Sequence, residues 1–204
     1  MLTLDHIAVS TEALEDGAAE VEAALGVPLA PGGQHAAMGT WNRLLSLGPE
    51  EYFELIAIEP GAPGPDQPRW FDLDNFTGAT RATTWICRTD NLDAALAAAP
   101  EGAGVPWDLE RGDLSWRMAV PEDGKLPFGG LFPAMIQWNG PAHPAPRLPD
   151  RGVRLTALRL HSPEADALRA ALAPLIDDAR LQVIGSDTPR MEAVLSTPRG
   201  EVLL

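Results

Sequence analysis

Three stretches of this chain read almost alike, and a repeated unit constrains a fold more tightly than any local motif. The first opens with Leu4-Asp5-His6-Ile7-Ala8-Val9-Ser10, a short apolar strand, and runs into a helical pattern over 12–25. The second opens with Thr83-Thr84-Trp85-Ile86-Cys87-Arg88-Thr89 and a helical pattern over 92–99. The third opens with Leu155-Thr156-Ala157-Leu158-Arg159-Leu160-His161-Ser162 and a helical pattern over 165–175. Further strand-like runs follow each helix. Two proline clusters, 60–65 and 141–149, are barred from regular helix and central strand, because proline fixes its own φ and lacks an amide donor. They cut the chain into units at 1–60, 78–140 and 152–204, in step with the repeat.

A strand-helix-strands unit alone leaves one sheet face bare. Pairing two units curves the sheet around a cleft and keeps the helices outside. The expected fold is therefore α+β: repeated βαβββ modules, the first two paired into curved mixed sheets around a cleft and the third, βαββ(β), following. Clefts between paired modules commonly hold ligands.

Local signals fill in the units. Leu14, Ala18, Val21 and Leu25 recur at helical spacing, and Gly26 stands where a C-terminal cap belongs. The runs 42–47 and 52–58, separated by Gly48-Pro49-Glu50-Glu51, read as a hairpin, and Pro31-Gly32-Gly33-Gln34-His35 reads as a loop. Asp90 or Asn91 is placed to cap the second helix. The run 114–120 alternates like a strand; 131–138 is the next candidate, and its Pro133 points to an edge position or a bulge. Ser162-Pro163-Glu164 reads as a helix start.

Charge and cysteine usage narrow the function classes. A net charge of −14 repels nucleic-acid backbones and anionic membranes, so neither is expected as a partner. No apolar run is long enough to span a bilayer, and no basic-then-apolar leader opens the chain. The single cysteine, Cys87, has no internal disulfide partner, which suits a reducing compartment. The expectation is a cytoplasmic protein that handles a small molecule, with a homodimer as its conceivable assembly.

Few residues carry chemistry. His6 shares a strand face with Ala8 and Ser10. Glu54 sits among large apolar neighbours, where a carboxylate is costly to bury unless paired, protonated or bound to a metal. On the wet face of an antiparallel sheet it would instead be solvated. An imidazole and a carboxylate on neighbouring strands make half a site for zinc, manganese or iron. His35 lies in a glycine-rich stretch, and Asn42 either holds a substrate oxygen or caps a turn. His143 and His161 read as structural or exposed. No Ser-His-Asp order, CxxC pair, HExxH helix or phosphate loop is present.

The His6 strand, the helix ending in Leu25-Gly26 and the strand Tyr52-Phe53-Glu54-Leu55-Ile56 together resemble the glyoxalase-like branch of the vicinal oxygen chelate superfamily. The likeness extends to His35-Ala36-Ala37-Met38-Gly39-Thr40-Trp41-Asn42, to the stretch from Leu126-Pro127-Phe128-Gly129-Gly130 through Ile136-Gln137-Trp138, and to the His143-Pro144 turn. It implies paired βαβββ modules around a metal-centred cleft, in which a divalent ion (Zn, Mn, Fe or Ni) chelates two neighbouring substrate oxygens and stabilises an enolate or similar anion. On that resemblance His6 and Glu54 are the metal ligands and Glu54 and His35 the catalytic groups. His35, Asn42, Thr84 and Gln137 are then the substrate-binding residues. Thr84 stands where a second-module histidine would, and Gln137 at the matching last-strand place; both are weak metal ligands. Leu158 holds that place in the third unit, which reads as a packing module. The function implied is a metal-dependent lyase, isomerase or dioxygenase acting on a small carbonyl or diol compound. The alternative is a non-catalytic small-molecule binding protein, with Trp41, Trp85, Trp116 and Trp138 as stacking walls.

Overall fold

In the computed structural model, which describes residues 1–204, twelve strands and three α-helices form two sheets. The first βαβββ unit comprises β1 (Thr3–Ser10), α1 (Leu14–Leu25), β2 (Ala30–His35), β3 (Thr40–Ser46) and β4 (Tyr52–Ile58). The second comprises β5 (Arg81–Arg88), α2 (Leu92–Ala98), β6 (Val105–Arg111), β7 (Leu114–Val120) and β8 (Ala134–Trp138). These eight strands make one curled half-barrel in the order β2-β3-β4-β1-β5-β8-β7-β6. The halves join within the chain through the antiparallel β1–β5 pair, while β1 runs parallel to β4 and β5 to β8.

The remaining elements, β9 (Arg154–Ser162), α3 (Ala165–Leu172), β10 (Leu181–Gly185), β11 (Arg190–Thr197) and β12 (Gly200–Leu203), build a four-stranded sheet ordered β10-β9-β11-β12. Leu155, Leu158, Leu160 and Leu195 of this sheet join the same apolar core as Ile7, Val9 and Trp85 on the outer face of the half-barrel. Leu158 is thus packing, as its apolar side chain dictates. Arg180, held by Asp178, also reaches Glu51 at 2.7 Å across the junction.

Strand alternation sorts the residues. Ile7 and Val9 point to the outer face, where they share one apolar core with Leu14, Ala18, Val21 and Leu25 of α1. Ala8, Ile56, Ile86, Met118, Trp116 and Ile136 line the concave face as a separate cluster. α1 stops at Gly26, which takes the left-handed conformation (φ 71°) and returns its N–H to Glu22. Asn91 caps α2 by accepting from the Ala94 N–H at 3.0 Å.

Four local expectations are corrected. Pro31 to His35 is not a loop but β2, an edge strand whose pairing with β3 is broken by a bulge between Pro31 and Gln34. Such an edge tolerates proline and glycine, and a Cβ on Gly32 would lie 2.1 Å from Asn42 Oδ1. Pro133 marks neither edge nor bulge: β8 starts at the next residue and lies between β5 and β7, so the proline sits just outside the ladder. β6 is a strand that alternation did not reveal, because as the opposite edge it exposes most of its residues. α3 ends at Leu172 rather than Leu175, and the Ser162 hydroxyl accepts from the Glu164 N–H in the preceding turn.

Candidate functional site

Four strands of the first unit bring their polar side chains to one place on the concave face. His6 comes from β1, His35 from the end of β2, Asn42 from β3 and Glu54 from β4, and all four line a cavity of about 30 Å³. Tyr52, Trp70, Phe71, Trp116, Met118, Ile136 and Trp138 complete its walls, and Arg111 enters from β6. That volume suits about two water molecules, so a substrate displaces water or side chains on entry. The His6 and Glu54 side chains face each other, with Nε2 and Oε2 3.6 Å apart, an ion pair rather than a hydrogen bond.

The polar contacts are specific in direction. Arginine only donates, so Arg111 Nη1, 3.1 Å from His35 Nε2, makes that nitrogen an acceptor. The proton of neutral His35 then sits on Nδ1 and is donated to Thr40 Oγ1 at 3.0 Å. Asn42 Oδ1 accepts from the Gly33 N–H (2.8 Å) and from Arg111 (3.4 Å), which turns Nδ2 toward Glu54 Oε1 as a donor. Asp5, fully buried, accepts from three groups: His6 Nδ1 at 2.6 Å, His143 Nε2 at 3.0 Å and Trp138 Nε1 at 3.1 Å. His143 Nδ1 accepts from the Ala145 N–H, which leaves its proton on Nε2 for Asp5. The His6 ring also stacks on Tyr52 at 4.2 Å.

These neighbours fix the charges. Burial alone would discharge His6, but hydrogen bonding and attraction from Asp5 and Glu54 raise its pKa to about 9, so it is an imidazolium at neutral pH. Burial pushes Glu54 up, and His6, His35 and Asn42 overcome that to hold it near 2. The same contest leaves Asp5 well below the usual carboxylate range, through His143 and His6. His35 goes the other way: burial, aided by the charges of Arg111 and His6, lowers it to about 4 despite Glu54. The cavity therefore holds a cationic and a neutral imidazole on either side of one carboxylate.

The other predicted residues lie elsewhere. Gln137 points away from the cavity, since Ile136 and Trp138 on either side of it face in; its Oε1 accepts from the Leu92 N–H at 2.8 Å and tethers α2. The parallel registers explain the misplacement. Ala8 pairs with Glu54 and Ile86 with Ala134, so the place matching Glu54 belongs to Ala134. Thr84 lines a second, larger cavity. Of the four tryptophans named as walls, Trp116 and Trp138 serve; Trp85 is core and donates to Leu131 O, and Trp41 packs against the outer core. Asp5, Arg111 and His143 were missed as site residues. Asp5 points opposite to His6 by simple alternation, yet a bulge between Leu4 and His6 in the β1–β5 pairing lets both side chains share one network.

The divalent ion implied by the resemblance would use His6 and Glu54, with His35 Nε2 3.9 Å from Glu54 Oε1 as the nearest third donor. The residues do not fit it. No three His, Cys, Asp or Glu side chains gather in an arrangement that could hold a metal. The facing wall is Met118, Ile136 and Trp116, and the Arg111 guanidinium already occupies the His35 lone pair.

Comparison with known proteins agrees with the fold. A family model described as a glyoxalase-like domain matches residues 4–176. Among solved structures, a hypothetical protein from Staphylococcus aureus is 13% identical, with 100% of this chain and 84% of that chain covered and a TM-score of 0.58. Methylmalonyl-CoA epimerase from Mycobacterium tuberculosis is 19% identical over 68% of this chain and 88% of its own, with a TM-score of 0.42. A hypothetical protein from Bacillus halodurans is 14% identical over 70% and 97%, with a TM-score of 0.44. Curated proteins give no match. No helix is long and apolar enough to cross a membrane.

Proposed function

The chain belongs to the glyoxalase-like domain family, and from that premise we propose that it is an enzyme of lyase or isomerase type that moves a proton beside the carbonyl of a small oxygenated compound. The observation that supports this is the meeting of His6, His35, Asn42, Glu54 and Arg111 around one buried cavity. Buried titratable groups with opposed pKa shifts are an arrangement suited to acid–base chemistry. Charge developing on a substrate oxygen meets two fixed cationic donors, the His6 imidazolium and the Arg111 guanidinium, in surroundings of low polarity.

His35 is the base in this reading. At rest its Nε2 lone pair is covered by Arg111, whose charge also opposes protonation. A substrate carbonyl oxygen that takes over the Arg111 hydrogen bond uncovers Nε2, which takes the proton from the neighbouring carbon as the C–H electron pair moves into the enolate and the negative charge developing on the oxygen offsets that of Arg111. Glu54 stays ionised and stabilises the imidazolium so formed, while Asn42 keeps the carboxylate turned toward both imidazoles. Asp5 and His143 hold His6 in place as positioning residues.

The test is hydrogen exchange. The protein is incubated in D2O with a panel of small 2-oxo acids, 2-hydroxy ketones and 1,3-dicarbonyls, and deuterium next to the carbonyl is read by NMR. Exchange by the wild type should fall at least ~100-fold in His35→Gln and in Glu54→Gln. Absence of exchange with every member of the panel overturns the reading. Metal content is the second arm, on protein purified without a metal column. One equivalent of metal per chain, lost in His6→Ala, would show that an ion takes the role assigned to Arg111 and His6.

The aromatic walls Trp70, Trp116 and Trp138 favour one competing reading, plain sequestration of a small aromatic compound. Quenching of tryptophan fluorescence by such compounds, with no exchange of any of them, is its signature.

A further inference from the structure

A cavity of about 360 Å³, much larger than the polar one, lies elsewhere in the fold. It lies between the start of β5, the 3-10 segment Trp70–Asn75, the stretch 125–131 and the start of β11, and its size suits a small organic ligand. Phe71 lines both cavities. Phe71 and Asp72 both have left-handed backbone (φ 60° and 52°), a conformation bulky residues rarely adopt. The segment is tied down, with the Asp72 N–H donated to Gly124 O at 2.9 Å.

Three cations line this cavity: Arg81, Lys125 and Arg190. In a chain of net charge −14, cations tend to find carboxylates, and Arg190 does pair with Glu192. Arg81 and Lys125 (the only lysine in the chain) have no carboxylate partner. The Arg81 guanidinium is nevertheless held still. It donates to Thr77 O and Ala79 O at 3.0 Å each, and sits 4.3 Å over the Phe76 ring. Buried Thr84 adds a hydroxyl that makes no hydrogen bond within the chain, and Phe71 and Phe76 add apolar surface. Asp72, the one carboxylate in the lining, accepts from Asn75.

We propose that this cavity is the recognition site for an anionic group carried on a small aromatic or apolar skeleton. Arg81 and Lys125 take the carboxylate or phosphate, Thr84 donates to it, and Phe71 and Phe76 pack on the skeleton. As the remote part of a substrate whose reacting end enters beside His35, the assignment rests on the proton-transfer reading above; as an anion site it stands on its own lining.

The probes are phenyl phosphate and benzoate, with phenol as the neutral control, titrated into the full chain and followed by calorimetry and by 1H–15N NMR. Both anions should bind at least about tenfold more tightly than phenol, and each of Arg81→Gln and Lys125→Gln should weaken them about tenfold, as expected when one charged hydrogen bond is lost. Amide shifts should centre on 71–76, 81–84 and 125–131. A preference for phosphate over benzoate, or the reverse, identifies which anion the substrate carries. Lys125 is exposed, so Lys125→Gln keeps the fold even if Arg81→Gln does not. Glu54→Gln should leave phenyl phosphate affinity unchanged whatever it does to exchange, so the two assignments fail separately. The proposal is overturned if neither anion outbinds phenol, if Lys125→Gln binds them as tightly as the wild type, or if the shifts centre elsewhere.

Discussion

Where β1 carries His6, β5 carries Thr84; where β3 and β4 carry Asn42 and Glu54, the matching registers of β7 and β8 carry Met118 and Ala134. The two halves of the half-barrel share one topology, joined along β1 and β5, but the carboxylate and both imidazoles that line the cavity come from the first. The second contributes Met118, Trp116, Ile136 and Trp138, and a single guanidinium from its edge strand. An apolar wall opposite a polar one excludes water and strengthens every charge–charge interaction at the boundary. Duplicating a module thus supplies the shape, and divergence between the copies supplies the electrostatic contrast.

The sharpest way to break this comparison is to substitute equivalent strand positions in each half. Asp5→Asn takes from the buried His6 cation the closer of its two carboxylates and should cost about 3–5 kcal/mol in urea denaturation. Thr83→Val at the matching place on β5 removes one hydrogen bond to Ser10 and should cost ~1 kcal/mol. Equal losses would mean that the halves are energetically alike.

A second test uses pH, because the two histidines that line the cavity, His6 and His35, both belong to the first half. His6, raised from 6.5 to about 9 on folding, binds more protons folded than unfolded between those values, so its stabilisation is full below pH 6.5 and is lost as pH rises through about 9. His35, lowered from 6.5 to about 4, binds fewer, so stability falls as pH drops from 6.5 toward 4. Each flank has a slope of up to ~1.4 kcal/mol per pH unit, and the two meet in a maximum near pH 6.5. A denaturation profile that is flat from pH 4 to 9 would refute the assigned charges.

A third, smaller contrast is Asn42→Leu against Met118→Leu. The first strips partners from Glu54 and from the Gly33 N–H and should cost ~1–3 kcal/mol. The second conserves volume against apolar neighbours and should stay below ~1.5 kcal/mol. The smallest contrast lies on the outer layer. Asn91→Ala removes the side-chain cap of α2 and should cost ~1 kcal/mol, whereas α1, preceded by Ala13, has no such cap to lose. Helix content by circular dichroism, with melting temperature, checks both.

The α+β architecture was legible because it rests on periodicity and punctuation: Leu14, Ala18, Val21 and Leu25 face inward as spaced, and Gly26 ends the helix as its missing Cβ allows. The edge strands were less legible, since β2 is written in glycine and proline and β6 exposes most of its side chains. In the pocket, His6 and Glu54 could be named from residue type and strand position, and His35 and Asn42 from residue type and the family resemblance, His35 having been placed in a loop. Arg111 and His143 could not, because what brings them in is curvature and a long connector, over 76 and 138 residues of sequence. Gln137 went astray because one residue of register separates the face of the cleft from the face of α2.

The Arg111–His35 contact joins the two outermost strands, β6 and β2, yet no backbone ladder links them. Two rows of amides and carbonyls along the seam are thereby left open to a foreign strand. Pro31, the Gly32-Gly33 pair and the Pro31/Gln34 irregularity spoil one row as a template, and Pro106, Asp108 and Glu110 spoil the other. The slot can stay ajar for small visitors without inviting stray chains to zip it shut.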